Sequence, residues 1–365
     1  MPETYDFAVI GAGIAGSSIA AELAEHANVV ILEAEAQPGY HATGRSAAFW
    51  EECYGGPLIA PLTLASGPFL REGGFLSPRG ALYIGQGKDS PALNAFEDRF
   101  AHTAATFSRV GQDYLAQSIP GLKQPWVDGI SQPDCCDIDV AALHAFYLKR
   151  SRERGASLRT GFRVCRTERK HGDWRIESEG GETVEAAYIV NAAGAWAGEM
   201  AQLAGAQPIA VSPLRRTVAQ LRVDPVPPAD MPLVLDIAGS FYFKPDAGRI
   251  WLSPHDETPT EACDAAPEEI DVAQAIARLE TVVDWRIEAV ERRWAGLRSF
   301  AADRLPVFGP DTQCENFYWF AGQGGSGIQT SPAAAAVAAS IILESEAPAP
   351  YAAIDPSPYL ASRFG

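Results

Sequence analysis

With 365 residues, 47% of them hydrophobic and 21% charged, the chain has the composition of a globular protein able to bury a large core, in two closely joined domains. Its 46 acidic against 29 basic residues give a formal charge of -17, which disfavours nucleic acid and anionic membrane surfaces as partners. Six cysteines without CxxC or disulfide-like spacing, no leader-like segment before a first strand at Tyr5, and a longest apolar run ("AAAAVAASIIL") too short to cross a bilayer predict a cytoplasmic protein with no stable membrane insertion.

The chain opens on "YDFAVI", a short apolar run of strand type, followed directly by "GAGIAG". "SSIAAELAEH" then reads as a helix with Ile19 and Leu23 one turn apart, and "NVVILE" as a second buried strand ending at Glu33. Gly11, Gly13 and Gly16 fit GxGxxG in the strand–turn–helix setting that gives the motif meaning. Gly11 permits the tight turn, Gly13 lets the backbone approach a pyrophosphate, and Gly16 lets helix and strand pack closely. Free N–H groups at the helix start favour phosphate. Glu33 suits two ribose hydroxyls and argues against a 2′-phosphate. The candidate cofactor residues here are Gly11, Gly13, Ile14, Ala15, Gly16, Glu33 and Ala34.

"YHATGRSAA", residues 40–48, follows a Pro38-Gly39 turn and is predicted to lead into a second helix. Its small residues allow a close backbone approach, and Arg45 is a candidate phosphate contact; an ordinary capped helix start fits the spacing equally well. The candidates are His41, Thr43, Gly44, Arg45, Ser46 and Ala47. Helices are expected over residues 90–107 and 139–155, then three strands, "FRVCRTERK" (with Val164), "DWRIESE" and "ETVEAAYIV". "YIVNAAGAWA" is a buried strand ending in a small-residue turn, with Ala193 and Gly194 suited to lie over a nucleotide. "LRRTVAQLRV", "GSFYFKPD" and "GRIWLSP" read as antiparallel strands, "EEIDVAQAIARLETVV" as an amphipathic helix and "ERRWAGLRSF" as a further strand. "FYWFAGQGGSGIQTSPAAAA" is strand, glycine-rich turn and helix, a second nest of backbone donors. It contributes Gly324, Gly325, Ser326, Gly327, Ile328, Gln329 and Thr330. A nicotinamide enzyme needs one such nest, whereas a long flavin dinucleotide can occupy several, so FAD is the expected cofactor. No metal site is read.

The fold class expected is α/β, α+β overall: a Rossmann-like FAD domain assembled from residues 1–76, 138–212 and 299–365, with a mostly antiparallel substrate domain from 77–137 and 213–298 inserted into it.

In this order the motifs resemble the glycine oxidase, sarcosine oxidase and D-amino-acid oxidase group of FAD-dependent amine oxidoreductases, and within it bacterial D-arginine dehydrogenase. The likeness is carried by "EAQPGYHATGRSAA", "DIDVAALH", "VNAAGAWA", "RRTVA", "FYFKPDAG", "WAGLRSF" and "GQGGSGIQTS". It implies that the inserted sheet covers the flavin ring and that hydride passes from substrate Cα to flavin N5. It implies that Arg216 and Arg298 bind a substrate carboxylate, as the arginine fork suits. Tyr242 and Tyr54 match hydroxyls that reach the substrate, Tyr54 on a mobile lid beside Gly55, Gly56 and Pro57. Gly296 matches a glycine whose carbonyl faces the amine, and Gly325 borders both substrate and cofactor.

The departures bear on substrate. Ala81 stands where D-arginine dehydrogenase has a glutamate that holds the guanidinium. Phe49-Trp50 replaces a His-Tyr pair, and Glu51, facing pocket or solvent, replaces a threonine. Together they imply a pocket for neutral or hydrophobic D-amino acids. A glycine- or sarcosine-type N-alkyl amino acid, or a 2-hydroxy acid, is the alternative, and a non-catalytic FAD-binding interaction protein the alternative of another class. No cysteine follows Arg298 where sarcosine oxidases attach their flavin, so FAD is expected to be noncovalent. The electron acceptor stays open between oxygen, a quinone and a carrier.

Overall fold

The strand Thr4–Ile10 carries apolar residues on both faces from Phe7 onward, and all four of these are buried. It forms the centre of an eight-stranded sheet in the computed structural model, which describes residues 3–365. Parallel neighbours flank it, Val29–Leu32 on one side and Thr183–Asn191 on the other. Ser157–Arg159 and Phe317–Ala321 extend the parallel core outward. Val307–Pro310 pairs antiparallel with the last of these, and the ribbon Val164–Lys170 and Asp173–Ser178 adds an antiparallel wing.

Helix Ile14–Leu23 leaves the first strand through Gly11–Gly13 and is buried on nearly every side. It packs between the sheet and helices Val140–Glu153 and Ser331–Ile342, hence its lack of a polar face. Two glycines make that packing possible. Gly11 has φ +99°, and a Cβ there would meet the Ala192 carbonyl oxygen at 2.7 Å; a Cβ on Gly16 would overlap the Gly11 carbonyl oxygen.

A second sheet of nine strands is antiparallel except where Leu233–Asp236 runs parallel to Ala81–Gln86. Its spine is the long pair Ser212–Asp224 and Arg286–Phe300. Helix Glu269–Val282 covers it with Val272, Ala275, Leu279 and Val282. A small third sheet, Phe49–Trp50 with Cys136–Ile138 and Leu76–Pro78, joins the two. There Asp137 takes both Arg79 (2.6 Å) and the buried Lys244 (2.5 Å), fixing this junction to the second sheet.

Two expectations are corrected. Residues 40–48 are turns leading into strand Phe49–Trp50, not into a helix; the next helix is Ala60–Glu72. The predicted helix 90–107 stops at Phe100. The Ala60–Glu72 helix was hidden by composition, since "APLTLASGPFLRE" holds two prolines and a glycine. Among the described residues, no helix is long and apolar enough to cross a membrane.

Candidate active site

The ends of both large sheets open on one cavity of about 350 Å³. Its walls bring together segments hundreds of residues apart: Gly11–Ala15, Glu33–Glu35, Gly39–Ala47, Phe162–Val164, Ala192–Trp196, Arg216, Tyr242, Gly296–Ser299 and Gln323–Ile328. Of the candidate cofactor residues, Gly11, Gly13, Ile14, Ala15, Glu33, Ala34, His41, Thr43, Arg45, Ser46, Ala47, Val164, Ala193, Gly194, Gly324, Gly325, Gly327 and Ile328 line it.

The other candidates, Gly16, Gly44, Ser326, Gln329 and Thr330, stand behind the wall. Gly16 sits in the helix–strand contact, and a Cβ on Gly44 would press on the Gly39 carbonyl. Ser326 and Thr330 bond within their own turn, Ser326 Oγ to the Gln323 carbonyl and Thr330 Oγ1 to the Ser326 carbonyl. Gln329 holds the Glu51–Tyr54 turn. Arg45 lines the cavity, but its fork donates to the Ala265 carbonyl (2.8 Å), the Ala295 carbonyl (3.2 Å) and the Asp264 carboxylate. These bonds tie the turn region to the second sheet.

The end of the cavity at the Gly11–Gly16 turn is preset by partners that sequence spacing does not reveal. Glu33 is buried, one oxygen accepting the Ala12 N–H at 2.7 Å and the other the Glu35 N–H at 2.9 Å. Its remaining lone pairs are available to hydroxyls. Thr43 Oγ1 accepts the Ile14 N–H at 2.9 Å, orienting the helix start. His144 Nε2 bonds the Ala12 carbonyl at 2.8 Å from helix Val140–Glu153. His41 pairs with Glu35 through Nε2 at 3.0 Å, and its Nδ1 is buried without a partner. Glycine turns at two helix starts, a buried acid and an orphaned ring nitrogen fit an extended dinucleotide.

At the other end, Arg216 pairs with Gly296 across the spine and Leu214 with Arg298. Arg216 and Arg298 are therefore diagonal neighbours on one face. Arg216 is buried; Nε donates to the Asp256 carbonyl at 2.6 Å and Nη2 to Glu257 at 3.1 Å, while Nη1 has no partner. Burial, then the charge of Arg298, pulls its pKa down. Arg298 donates to the Tyr54 hydroxyl. The Tyr242 hydroxyl is also buried without a partner. Gly325 completes the group, because a Cβ there would strike the Tyr54 hydroxyl at 2.7 Å and Arg298 at 3.0 Å. Behind Tyr242 lies His255, edge-on at 5.7 Å. Burial and the two arginines push it down to about 3, so it is neutral at physiological pH.

The predicted substrate-pocket residues divide. Phe49 faces a void of about 10 Å³ shared with Tyr54, Ile328 and Gln329, and Gly296 lines the main cavity. Ala81 does not reach either; it packs with Phe49, Val218 and Tyr242 in a core cluster. Glu51 faces neither pocket nor solvent but is fully buried. The acids on the main wall, Glu33, Glu35, Glu179 and Glu199, all come from the first sheet's side; none comes from the second sheet. No cysteine lines the cavity.

The family model for FAD dependent oxidoreductases (DAO) matches residues 6–341. The chain is 25% identical over its whole length to FAD-dependent oxidoreductase domain-containing protein 1 of Mus musculus, covering 85% of that protein. A 30% match to the Bos taurus protein of the same name spans 50% of this chain and 40% of that one. Hydrogen cyanide synthase subunit HcnC of Pseudomonas aeruginosa is 23% identical, with 100% and 97% covered. In fold, the chain is similar to glycine oxidase from Geobacillus kaustophilus, with a TM-score of 0.84 at 20% identity and 99% of each chain covered. It is also similar to L-proline dehydrogenase from P. horikoshii, with a TM-score of 0.83 at 20% identity and 96% and 98% covered.

Proposed function

Because the chain belongs to the FAD dependent oxidoreductase family, we propose that it oxidises an α-amino acid with a small neutral side chain, of the D series, to the imine that hydrolyses to a 2-oxo acid and ammonia. One observation carries this: Arg216 Nη1 and the Tyr242 hydroxyl are buried donors without partners on the cavity wall they share with Arg298, which also donates to the Tyr54 hydroxyl at the small adjoining void. Buried donors are costly to leave unpaired, and a carboxylate answers all four groups at once. Noncovalent FAD, when bound, supplies the hydride acceptor. The chain's own work is positional. The arginine pair fixes the carboxylate and so the Cα–H direction. Its positive charge disfavours the ammonium form of the substrate, leaving the neutral amine that oxidation requires. Segment 213–298 supplies Arg216, Tyr242 and Arg298 to the substrate side of this arrangement, and Phe49 and Tyr54 reach it from segment 1–76.

Side-chain preference follows from charge and space. No acid from the second sheet lines the cavity, so a guanidinium would find no counter-charge. The void bounded by Phe49, Tyr54 and Ile328 holds one water's worth of space. That small space also favours a second reading, glycine or its N-alkyl derivatives.

Anaerobic bleaching of the flavin band with D- and L-amino acids, glycine, sarcosine and 2-hydroxy acids tests the proposal. Small neutral D-amino acids or glycine are expected to bleach rapidly and D-arginine slowly. Faster bleaching by D-arginine, or none with any amino acid, would overturn it. At the cofactor end, Thr43→Val orphans the Ile14 N–H. The loss of about 1–3 kcal/mol for such a donor predicts a roughly tenfold or larger rise in flavin Kd, read by fluorescence titration of the apoprotein.

A further inference from the structure

Beneath the Tyr54 turn lies a carboxyl group that reaches neither cavity. Glu51 is 0% exposed; Oε1 accepts the Cys53 N–H at 2.9 Å and Oε2 the Tyr83 hydroxyl at 2.8 Å. Its backbone N–H donates to Gln329 Oε1 at 3.1 Å. Gln329 Nε2 donates in turn to Thr63 Oγ1 at 2.9 Å and the Tyr54 carbonyl at 3.4 Å. The Tyr54 N–H closes the turn on the Glu51 carbonyl at 3.2 Å. The turn is thus clasped by a carboxyl from inside and by the glycine-rich segment from the side, with the Arg298 contact at its tip. A neutral side chain would avoid the desolvation cost of a carboxylate but would hold the turn through weaker, uncharged hydrogen bonds.

We propose that Glu51 is a positioning residue for carboxylate binding, holding Tyr54 and through it Arg298 without touching the substrate. This rests on the reading of the site given above. Burial pushes the Glu51 carboxyl up to about 7. The groups facing it are Tyr83 from Ala81–Gln86, Cys53 and Glu52 from its own turn, Cys135 beside the third sheet, and Arg99 from helix Ser90–Phe100, which acts only at a distance. Burial raises Tyr83, Cys53 and Cys135, keeping them neutral, and raises Glu52 as well. The ionised carboxylate accepts both clasp bonds. On protonation both bonds lose their charge assistance, and the Tyr83 contact can persist only as a neutral hydrogen bond, so the clasp weakens as pH falls through about 7.

The test uses the flavin-loaded protein, its Glu51→Gln and Tyr54→Phe variants and the double variant, with acetate as a carboxylate probe that carries no amine. Acetate Kd, read from the flavin spectrum, is expected to fall as pH rises through neutrality in the wild type and to stay flat in Glu51→Gln. For the amino acid that bleaches fastest, Glu51→Gln is expected to raise KM about tenfold with kcat within about twofold. In the Tyr54→Phe background it should change neither, because the two residues act as one unit. An unchanged acetate profile in Glu51→Gln, or additive effects in the double variant, overturns the proposal alone. A wild type that binds no acetate and bleaches with no amino acid overturns the carboxylate reading and the proposal with it. Infrared titration of the wild type gives a second check if Glu51→Gln fails to fold. A buried carboxyl C=O band lost with a midpoint near neutrality supports the proposal, and its absence at every pH overturns it.

Discussion

Replacing Arg298 with methionine is expected to lower kcat/KM for the amino acid substrate by roughly 10²–10³-fold, the range given by a loss of about 3–4 kcal/mol on truncating one partner of a buried charge pair. Methionine keeps much of the volume and removes the fork, so the strand Arg286–Phe300 and its pairing with Ser212–Asp224 should persist. Arg216 alone cannot substitute, because its Nε and Nη2 are already engaged and only Nη1 is free. Arg298→Lys restores charge without the fork and should fall between wild type and methionine. Single-turnover reduction across a substrate series separates binding from chemistry: a rise in KM alone means anchoring, and a fall in kcat means that the anchor also aims the Cα–H. An amine without a carboxylate should be oxidised at the same rate, however slowly, by both proteins. Equal losses for both kinds of amine would remove Arg298 from the anchoring role.

Gly16→Ala is expected to abolish flavin retention and to destabilise the protein by more than ~3 kcal/mol, beyond ordinary overpacking. The added methyl would overlap the Gly11 carbonyl oxygen, which is backbone and has little room to yield. Helix Ile14–Leu23 would have to move away from Thr4–Ile10, carrying the Ile14 N–H off Thr43 and Ala12 off Glu33. Gly198→Ala is the matched control. It lies in helix Ala197–Ala204 with open space where its methyl would go, and should be neutral or stabilising by up to ~1 kcal/mol. Urea midpoints and flavin-to-protein ratios for the pair decide the matter. A yellow, stable Gly16→Ala protein would mean that helix and strand tolerate separation.

These two residues show what was legible in the chain. GxGxxG between strand and helix is a local code, and Gly11 and Gly16 meet backbone where its mechanics require. Arg216 and Arg298 become neighbours through the register of two strands, and their alternation put both on one face. What sequence reading missed depends on three-dimensional partners. Arg45 has a free-looking fork until Asp264, Ala265 and Ala295 arrive from more than 200 residues away. Ala81 is small and apolar whether it lines a cavity or packs behind Phe49. Glu51 runs against the ordinary rule for glutamate, and only the Tyr83 hydroxyl and Cys53 N–H explain its burial. His144 and His255 gave no periodic signal at all, since each acts through one contact with a distant backbone carbonyl.

The central strand Thr4–Ile10 also sets when the protein can mature. Its partner Thr183–Asn191 is synthesised some 180 residues later, and that strand's own partner, Phe317–Ala321, later still. Helix Ser331–Ile342, which packs on Ile14–Leu23, comes after both. Such pairings have high contact order, and closing these long loops delays assembly of the parallel sheet. A nascent chain emerging from the ribosome can form local hairpins but has no finished dinucleotide cradle until residues 317–342 have appeared. Flavin capture therefore waits until the chain has been made through residues 317–342.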